Sequence, residues 1–107
     1  MSTYLIRVER DSVSMGDDVN APHEYAFNLT ESSGLGDIFV HLEKKRYLPG
    51  VAGKNHSWDA VIGQKKVAHF KGNNKFPEPS KVLSKLLSKF AKDGQVNVSF
   101  TYNSSTT

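Results

Sequence analysis

Residues 80–94 read Ser-Lys-Val-Leu-Ser-Lys-Leu-Leu-Ser-Lys-Phe-Ala-Lys-Asp-Gly, and a pattern of four residues occurs three times in this stretch. Four residues advance an α-helix by about 400°, so equivalent positions stay nearly in line. The pattern therefore predicts a helix that ends at Gly94. Its apolar face would comprise Val82, Leu83, Leu86, Leu87, Phe90 and Ala91, and its basic edge Lys81, Lys85, Lys89 and Lys92.

On either side of this segment, apolar and polar residues alternate as is typical of strands with one buried face. After Gly94, apolar residues occupy every second position from Val96 to Tyr102. Closer to the start of the chain, the same alternation predicts strands over residues 4–9, 23–29, 58–62 and 67–70. Helical spacing of apolar residues predicts another helix over residues 35–46.

The predicted order of elements is ββαββαβ, which indicates an α+β fold. We expect a mainly antiparallel sheet of about five strands with both helices packed on one face, because each strand has a polar face that can meet water. A chain of 107 residues is the size of one domain. We therefore expect a single compact domain over residues 1–107, with a frayed polar tail over residues 103–107.

Composition excludes several classes of function. The chain has no cysteine, so disulfides and thiolate chemistry are excluded and zinc could be held only by histidine and carboxylates. The first residues form no apolar run long enough for a signal peptide. No segment is long enough and apolar enough to span a bilayer. These features predict a cytoplasmic protein without a membrane partner, and no motif predicts a cofactor.

The net charge of +3 is unevenly distributed. Residues 1–53 contain five Lys/Arg and eight Asp/Glu, whereas residues 54–107 contain nine lysines and three Asp/Glu. This asymmetry favours an anionic partner, for which the basic edge of the second helix is the candidate surface. A solvated helix surface is the alternative interpretation. The second half has no arginine, the residue best suited to phosphate and base recognition, which weakens the case for nucleic acid.

A long loop over residues 11–23 is a second candidate site, because long loops on a rigid scaffold often carry function. Asp17, Asp18 and His23 could ligate a divalent cation if Asp59 or His56 approached them. The spacing lacks the Asp-x-Asp-x-Asp-Gly pattern of an EF-hand. The alternative interpretation is an ordered loop whose aspartates cap its own backbone, and no metal is predicted.

Motifs of known enzymes are missing from the sequence. Residues 50–55 read Gly-Val-Ala-Gly-Lys-Asn, but a phosphate-binding loop needs a longer gap between its glycines and Ser or Thr after the lysine. Neither Gly-x-Ser-x-Gly nor His-Glu-x-x-His occurs. His56, near Trp58 and Asp59, is the histidine best placed for catalysis, yet no set of acid, base and nucleophile is visible. No catalytic residue is therefore predicted.

The sequence thus predicts a small non-enzymatic binding protein that acts through a protein–protein surface, in an inhibitor, immunity-like or adaptor role. Its partner would be another protein, with an acidic character that matches the basic edge. Two alternatives stay open, namely nucleic-acid binding through the basic edge and a small enzyme that depends on a metal or on histidine. A dimer formed through an edge strand is a further alternative, although the sequence assigns no strand to an edge.

Overall fold

The computed structural model describes residues 2–10, 24–45, 47, 56–72 and 76–103. Within them, the strands are β1 (Thr3–Arg10), β2 (Glu24–Thr30), β3 (Ser57–Ile62), β4 (Lys65–Lys71) and β5 (Gln95–Asn103), and the α-helix is α1 (Leu35–Lys44). Two short 3₁₀ turns, Lys81–Ser84 and Leu87–Lys89, lie between β4 and β5. The fold is α+β, as predicted, and alternation in the sequence located each of these strands.

The five strands form one mixed sheet in the order β2-β1-β5-β3-β4. β1 pairs parallel with β5 in the centre of the sheet, and the three other pairings are antiparallel. The prediction of a mainly antiparallel sheet missed this central parallel pair. A parallel pair needs a long crossover connection, which here is the whole chain between Arg10 and Gln95. Side chains alternate in the same way in both kinds of pairing, so the sequence pattern could not show the direction.

The core lies between the sheet and α1. The helix buries Leu35, Ile38, Phe39 and Leu42, the residues whose spacing predicted it. The strands contribute Ile6, Val8, Trp58, Val96, Val98 and Phe100 to the same cluster. Phe39 packs edge-to-face against Phe70 and Phe100, with ring centroids 5.3 and 6.1 Å away. These contacts fix α1 across the centre of the sheet.

The predicted second helix over residues 80–91 is wrong. The stretch belongs to an arm, residues 76–92, in which the only helical turns are the two 3₁₀ turns. Of the predicted apolar face, only Leu87 is fully buried, and Leu86 is 50% exposed. The lysines of the predicted basic edge are all exposed, but no helix aligns them. The fold therefore has one α-helix in its described residues, where the sequence predicted two.

Hydrogen bonds to the start of α1 explain why the arm is not an α-helix. The N–H of Leu35 donates to the carbonyl of Lys85, and the N–H of Leu87 donates to the carbonyl of Ser33, both at 2.9 Å. In an α-helix, this carbonyl of Lys85 and this N–H of Leu87 would bond within the arm itself. The arm instead satisfies one of the N–H groups that the first turn of α1 leaves unpaired.

β3 and β4 form a tight hairpin that contains a bulge. Gly63 has a φ of +65° in the turn, a conformation that glycine adopts without strain. The register then shifts by one residue, which leaves Val67 as the extra residue of β4. The shift places Asp59 opposite His69, whereas a hairpin without a bulge would place it opposite Ala68.

The predicted frayed tail begins at Asn103, which is the last residue of β5. Residues 104–107 lie outside the described residues, and a single domain over residues 1–107 stays a prediction. In the described part of the chain, no helix has the length and apolar character needed to cross a bilayer.

Candidate functional site

An apolar groove lies between the start of α1 and the arm. Its volume is about 580 Å³. The helix side contributes Gly34, Gly36 and Val40 to its lining, and the arm contributes Phe76, Pro79 and Leu83. One wall is therefore a helix held by the core, and the other is a chain segment with little regular structure of its own.

Two glycines let the arm approach the start of α1. A Cβ atom on Gly36 would lie 3.3 Å from the carbonyl oxygen of Leu83, and a Cβ atom on Gly34 would lie 3.4 Å from that of Lys85. Larger residues would push these walls apart. The N–H of Gly34 also donates to Oδ2 of Asp37 at 2.9 Å, which places a carboxylate where the helix dipole favours negative charge. The first turn of α1, which forms the base of the groove, is therefore held in place by this hydrogen bond and by its close packing against the arm.

Three large apolar side chains are exposed in the described residues, and two of them line the groove. Phe76 is 56% exposed and Val40 is 42% exposed, and both line it. Leu86 is 50% exposed, and its backbone bridges to Gly34, which lines the same groove. Single exposed apolar residues are ordinary on protein surfaces, whereas exposed apolar residues grouped beside a concave surface are typical of interaction sites.

The lysines of the predicted partner surface follow one another along the arm. Lys81 begins the first 3₁₀ turn, Lys85 follows that turn, Lys89 ends the second, and Lys92 lies just before the turn into β5. All four side chains are exposed. Residues 83–84, which lie between Lys81 and Lys85, form part of the groove wall. At least these two lysines therefore flank the groove in the chain.

A polar cluster centred on Asp59 lies on the face of the sheet that α1 does not cover. Oδ1 of Asp59 lies 2.6 Å from Nδ1 of His69 and 3.5 Å from Nζ of Lys66. Oδ2 accepts a hydrogen bond of 2.9 Å from Nδ2 of Asn103. Partial burial raises the pKa of Asp59, but the hydrogen bonds from His69 and Asn103 and the charge of Lys66 outweigh it, and the pKa lies below its ordinary value. The ionised carboxylate thus joins β3 to β4 and β5.

Of the other predicted loop candidates, the structure describes only His56, and His56 does not join the cluster around Asp59. His56 is 4% exposed and packs against Tyr102, with ring centroids 5.9 Å apart, on the core side of the sheet. Outside the described residues lie the loop candidates Asp17, Asp18 and His23, so their role stays a prediction. Among the residues that the structure describes, no group of three or more His, Asp or Glu side chains could hold a metal ion.

A second concave surface, of about 410 Å³, lies over β2, β1 and β5. Its lining includes Arg7, Glu9, Glu24 and Ser99. Glu9 and Glu24 face each other across the strand pair, an unfavourable pairing of like charges. The hydroxyl of Ser99 donates to Oε1 of Glu9 at 3.0 Å. This cleft is polar with mixed charge, and it lacks the exposed apolar side chains of the groove.

Reasoning from sequence missed the main residues of the groove and the partner of Asp59. Phe76 stands in a stretch of loop-forming residues, where nothing requires a large aromatic side chain to be buried. An aromatic residue in such a loop is the one feature of the sequence that could have indicated the groove. His69 lies in the strand predicted over residues 67–70, and its approach to Asp59 depends on the bulge at Val67, which the sequence pattern does not predict.

No protein-family model matches this chain, and no curated protein is significantly similar to it in sequence. The function has to be inferred from the groove, the lysines beside it and the polar cluster on the sheet.

Proposed function

We propose that this protein binds another protein by docking an apolar side chain of an acidic segment in the groove. One observation carries the proposal: two of the three large apolar side chains that are exposed in the described residues, Phe76 and Val40, line one groove, one wall of which belongs to an arm with a run of lysines. Apolar anchors in a pocket with a polar rim are typical of the residues that dominate protein–protein binding energy.

Apolar contact supplies the affinity in this proposal. Burying a phenylalanine side chain completely is worth about 1.5–3 kcal/mol. More than half of Phe76 is open to solvent at 56%, and Val40 and Leu86 are 42% and 50% exposed. A partner side chain that fills the groove would cover the surfaces of Phe76 and Val40 together with its own apolar area. The groove walls need little rearrangement, because backbone hydrogen bonds join the arm to α1.

Charge selects the partner in this proposal. The arm carries four lysines and only one acidic residue, Glu78. The acid inside the groove, Asp37, already accepts a hydrogen bond from the N–H of Gly34. An acidic segment is therefore attracted and a basic one repelled. Charges at such a rim act mainly on association rate and on specificity.

An inhibitor, immunity-like or adaptor role fits this proposal, and a cytoplasmic location remains part of it. Nucleic-acid binding through Lys81, Lys85, Lys89 and Lys92 remains the alternative, although it does not explain why the apolar side chains beside the arm are exposed. A metal- or histidine-dependent enzyme is less well supported. Three side chains engage the carboxylate of Asp59, and His56 is buried.

Peptide selection on the immobilised protein tests the proposal. We expect selected peptides to combine Asp or Glu with an aromatic or large aliphatic residue. Binding should shift the amide NMR signals of residues 34–40 and of the arm. The variant Phe76→Ser should weaken binding about tenfold or more without changing the fold, because the side chain it removes is exposed.

A matched pair of charge variants separates the groove from general positive charge. Lys81→Ala/Lys85→Ala should weaken the selected peptides about three- to tenfold, and Lys65→Ala/Lys71→Ala, at exposed positions on β4, should leave them unchanged. Equal losses of peptide affinity in the two pairs of variants would contradict the proposal. Peptides that bind Phe76→Ser as tightly as the unaltered protein would also contradict it. Salt-sensitive binding of duplex DNA that Lys81→Ala/Lys85→Ala abolishes and Phe76→Ser leaves intact would support the nucleic-acid alternative.

A further inference from the structure

β2 is an edge strand, and hydrogen bonds show which of its backbone groups point outward. The N–H of Leu5 donates to the carbonyl of Gly94 at 3.0 Å, so the backbone of Leu5 is directed toward β5 and away from Asn28, its partner in β2. Bonded and non-bonded pairs alternate along antiparallel strands. Residues 25, 27 and 29 therefore bond to β1, and residues 24, 26, 28 and 30 direct their N–H and C=O groups away from the sheet.

Within the part of the chain that the structure describes, these outward groups form an open edge. The carbonyl of Thr30 accepts a bond of 3.0 Å from the N–H of Ser33. Within the described residues, no backbone bond from outside β1 reaches Glu24, Ala26 or Asn28. Glu24 is also the only charged residue of the strand, and it stands at the first position. A long edge with almost no charge is a template for another strand.

The opposite edge of the sheet, β4, is guarded. It carries three lysines, Lys65, Lys66 and Lys71, and it contains the bulge at Val67. The N–H of Glu78 in the arm donates to the outward carbonyl of His69 at 2.8 Å. Charges, a bulge and a covering segment are the devices that prevent edge-to-edge pairing. β2 has none of them among its described surroundings except the charge of Glu24.

We propose that two copies of this chain pair antiparallel through β2, about a two-fold axis at Phe27, so that one sheet runs through both copies. In this register Ala26 exchanges two backbone bonds with Asn28 of the second copy. The N–H of Thr30 donates to the carbonyl of Glu24 of the second copy, while the carbonyl of Thr30 keeps its bond from Ser33. All these residues have outward backbone groups, so no bond to β1 is lost. No residue of β2 lines the groove, so the interface does not depend on the proposed function.

The side chains of β2 are complementary to themselves in this register. On the core side, Phe27 meets Phe27 of the second copy and Tyr25 meets Leu29, which are favourable cross-strand pairs. Tyr25 and Leu29 are only partly buried in one copy, so pairing covers apolar surface. His41 fixes the rings of Phe27 and Tyr25. Its ring stacks on that of Phe27 with centroids 3.9 Å apart, and its Nε2 forms a hydrogen bond of 3.0 Å with the hydroxyl of Tyr25. The two Glu24 side chains lie at opposite ends of the interface.

Sedimentation of the full chain over a wide range of concentration tests the proposal, and we expect a monomer–dimer equilibrium. The variant Ala26→Pro removes one outward N–H and keeps the bonds to β1. The variant Ala26→Lys/Asn28→Lys brings like charges face to face. Each should weaken dimerisation about tenfold or more. The control Lys71→Pro removes an outward N–H from β4 and should leave dimerisation unchanged. Circular dichroism checks that each variant is folded.

Cysteine cross-linking tests the register, because the chain has no cysteine of its own. When Ala26→Cys and Asn28→Cys proteins are mixed and oxidised, the disulfide between the two different variants should form faster than either identical pair. A chain that stays monomeric at every concentration would overturn the proposal. So would a dimer that both β2 variants leave intact, or one that Phe76→Ser dissociates. A different result would contradict the groove proposal, namely peptide affinity that Phe76→Ser leaves unchanged.

Discussion

The helix α1 and the arm use nearly the same spacing of apolar residues in different ways. α1 buries Leu35, Ile38, Phe39 and Leu42 on one face against the sheet. The arm buries only Leu87 fully and exposes Leu86 to solvent. The comparison shows that helical spacing produces a helix only where a surface receives the apolar face and the backbone is free to bond to itself.

Local chemistry favours the helix in one segment and opposes it in the other. Asp37 accepts a bond from the N–H of Gly34 and so caps the start of α1. The arm has prolines at positions 77 and 79 and serine at every fourth position of its repeat. The hydroxyl of Ser84 donates to the carbonyl of Lys81 at 2.9 Å, which takes up a group that a helix would use. The arm therefore packs against the start of α1 in short turns.

The largest expected effect separates two adjacent leucines of the arm. Leu87→Ala should lower the free energy of unfolding by about 2–5 kcal/mol, because Leu87 is completely buried. Leu86→Ala should change it by less than about 0.5 kcal/mol, because half of Leu86 is exposed. Urea denaturation measures both. Equal losses would show that the two side chains share one buried helix face after all.

The cap of α1 should give the next largest effect. Asp37→Ala removes the acceptor for the N–H of Gly34 and should lower the free energy of unfolding by about 1 kcal/mol. Glu43→Ala, in the last turn of the same helix, is the control and should be nearly neutral because it removes no cap. Thermal denaturation of both variants would measure this, and an equal effect would mean that the cap contributes nothing specific.

Ser84→Ala distinguishes the observed turns from a helix by the sign of its effect. Loss of the hydrogen bond to the carbonyl of Lys81 should lower the free energy of unfolding by about 0.5 kcal/mol. In a helical arm, the better helix propensity of alanine would raise it by a similar amount. Ser88→Ala, at an exposed position of the second turn, serves as the control. A stabilised Ser84→Ala protein in urea denaturation would contradict the observed conformation.

The smallest expected effect is a pH dependence that belongs to α1 and not to the arm. Partial burial and the positive charges of Lys45 and Lys44 lower the pKa of His41. The unfolded chain then binds more protons than the folded protein between that lowered pKa and about 6.5. Stability from this group is complete above that range and falls as the pH falls through it.

The change in unfolding free energy between about pH 7 and about pH 5 measures this effect. It should be smaller in His41→Gln than in the unaltered protein. Lys85→Gln should not alter the change, because the arm contains no histidine. Identical pH profiles for the unaltered protein and His41→Gln would remove His41 as the source.

The same comparison explains how far the sequence predicts the structure. Alternation located the strands, and the spacing from Leu35 to Leu42 located α1, because both patterns reflect burial on the sheet. The arm was mispredicted, since its hydrogen bonds to Ser33 and Leu35 are tertiary contacts without a local signal. The contact of Asp59 with His69 depends on one extra residue in β4, and no pattern in the sequence of the hairpin predicts that bulge.

The position of β5 between β1 and β3 has a consequence for the order in which this protein can fold. Every other strand leaves the ribosome before β5, yet β1 and β3 meet only through it. Until β5 is synthesised, the pairs β1–β2 and β3–β4 have no strand between them to join them. Until then, the apolar residues Ile6, Val8 and Trp58 lack their neighbours in β5. Pairing between strands that are distant in sequence is slow. A nascent chain of this protein therefore exposes apolar surface for longer than a protein whose central strands are synthesised first.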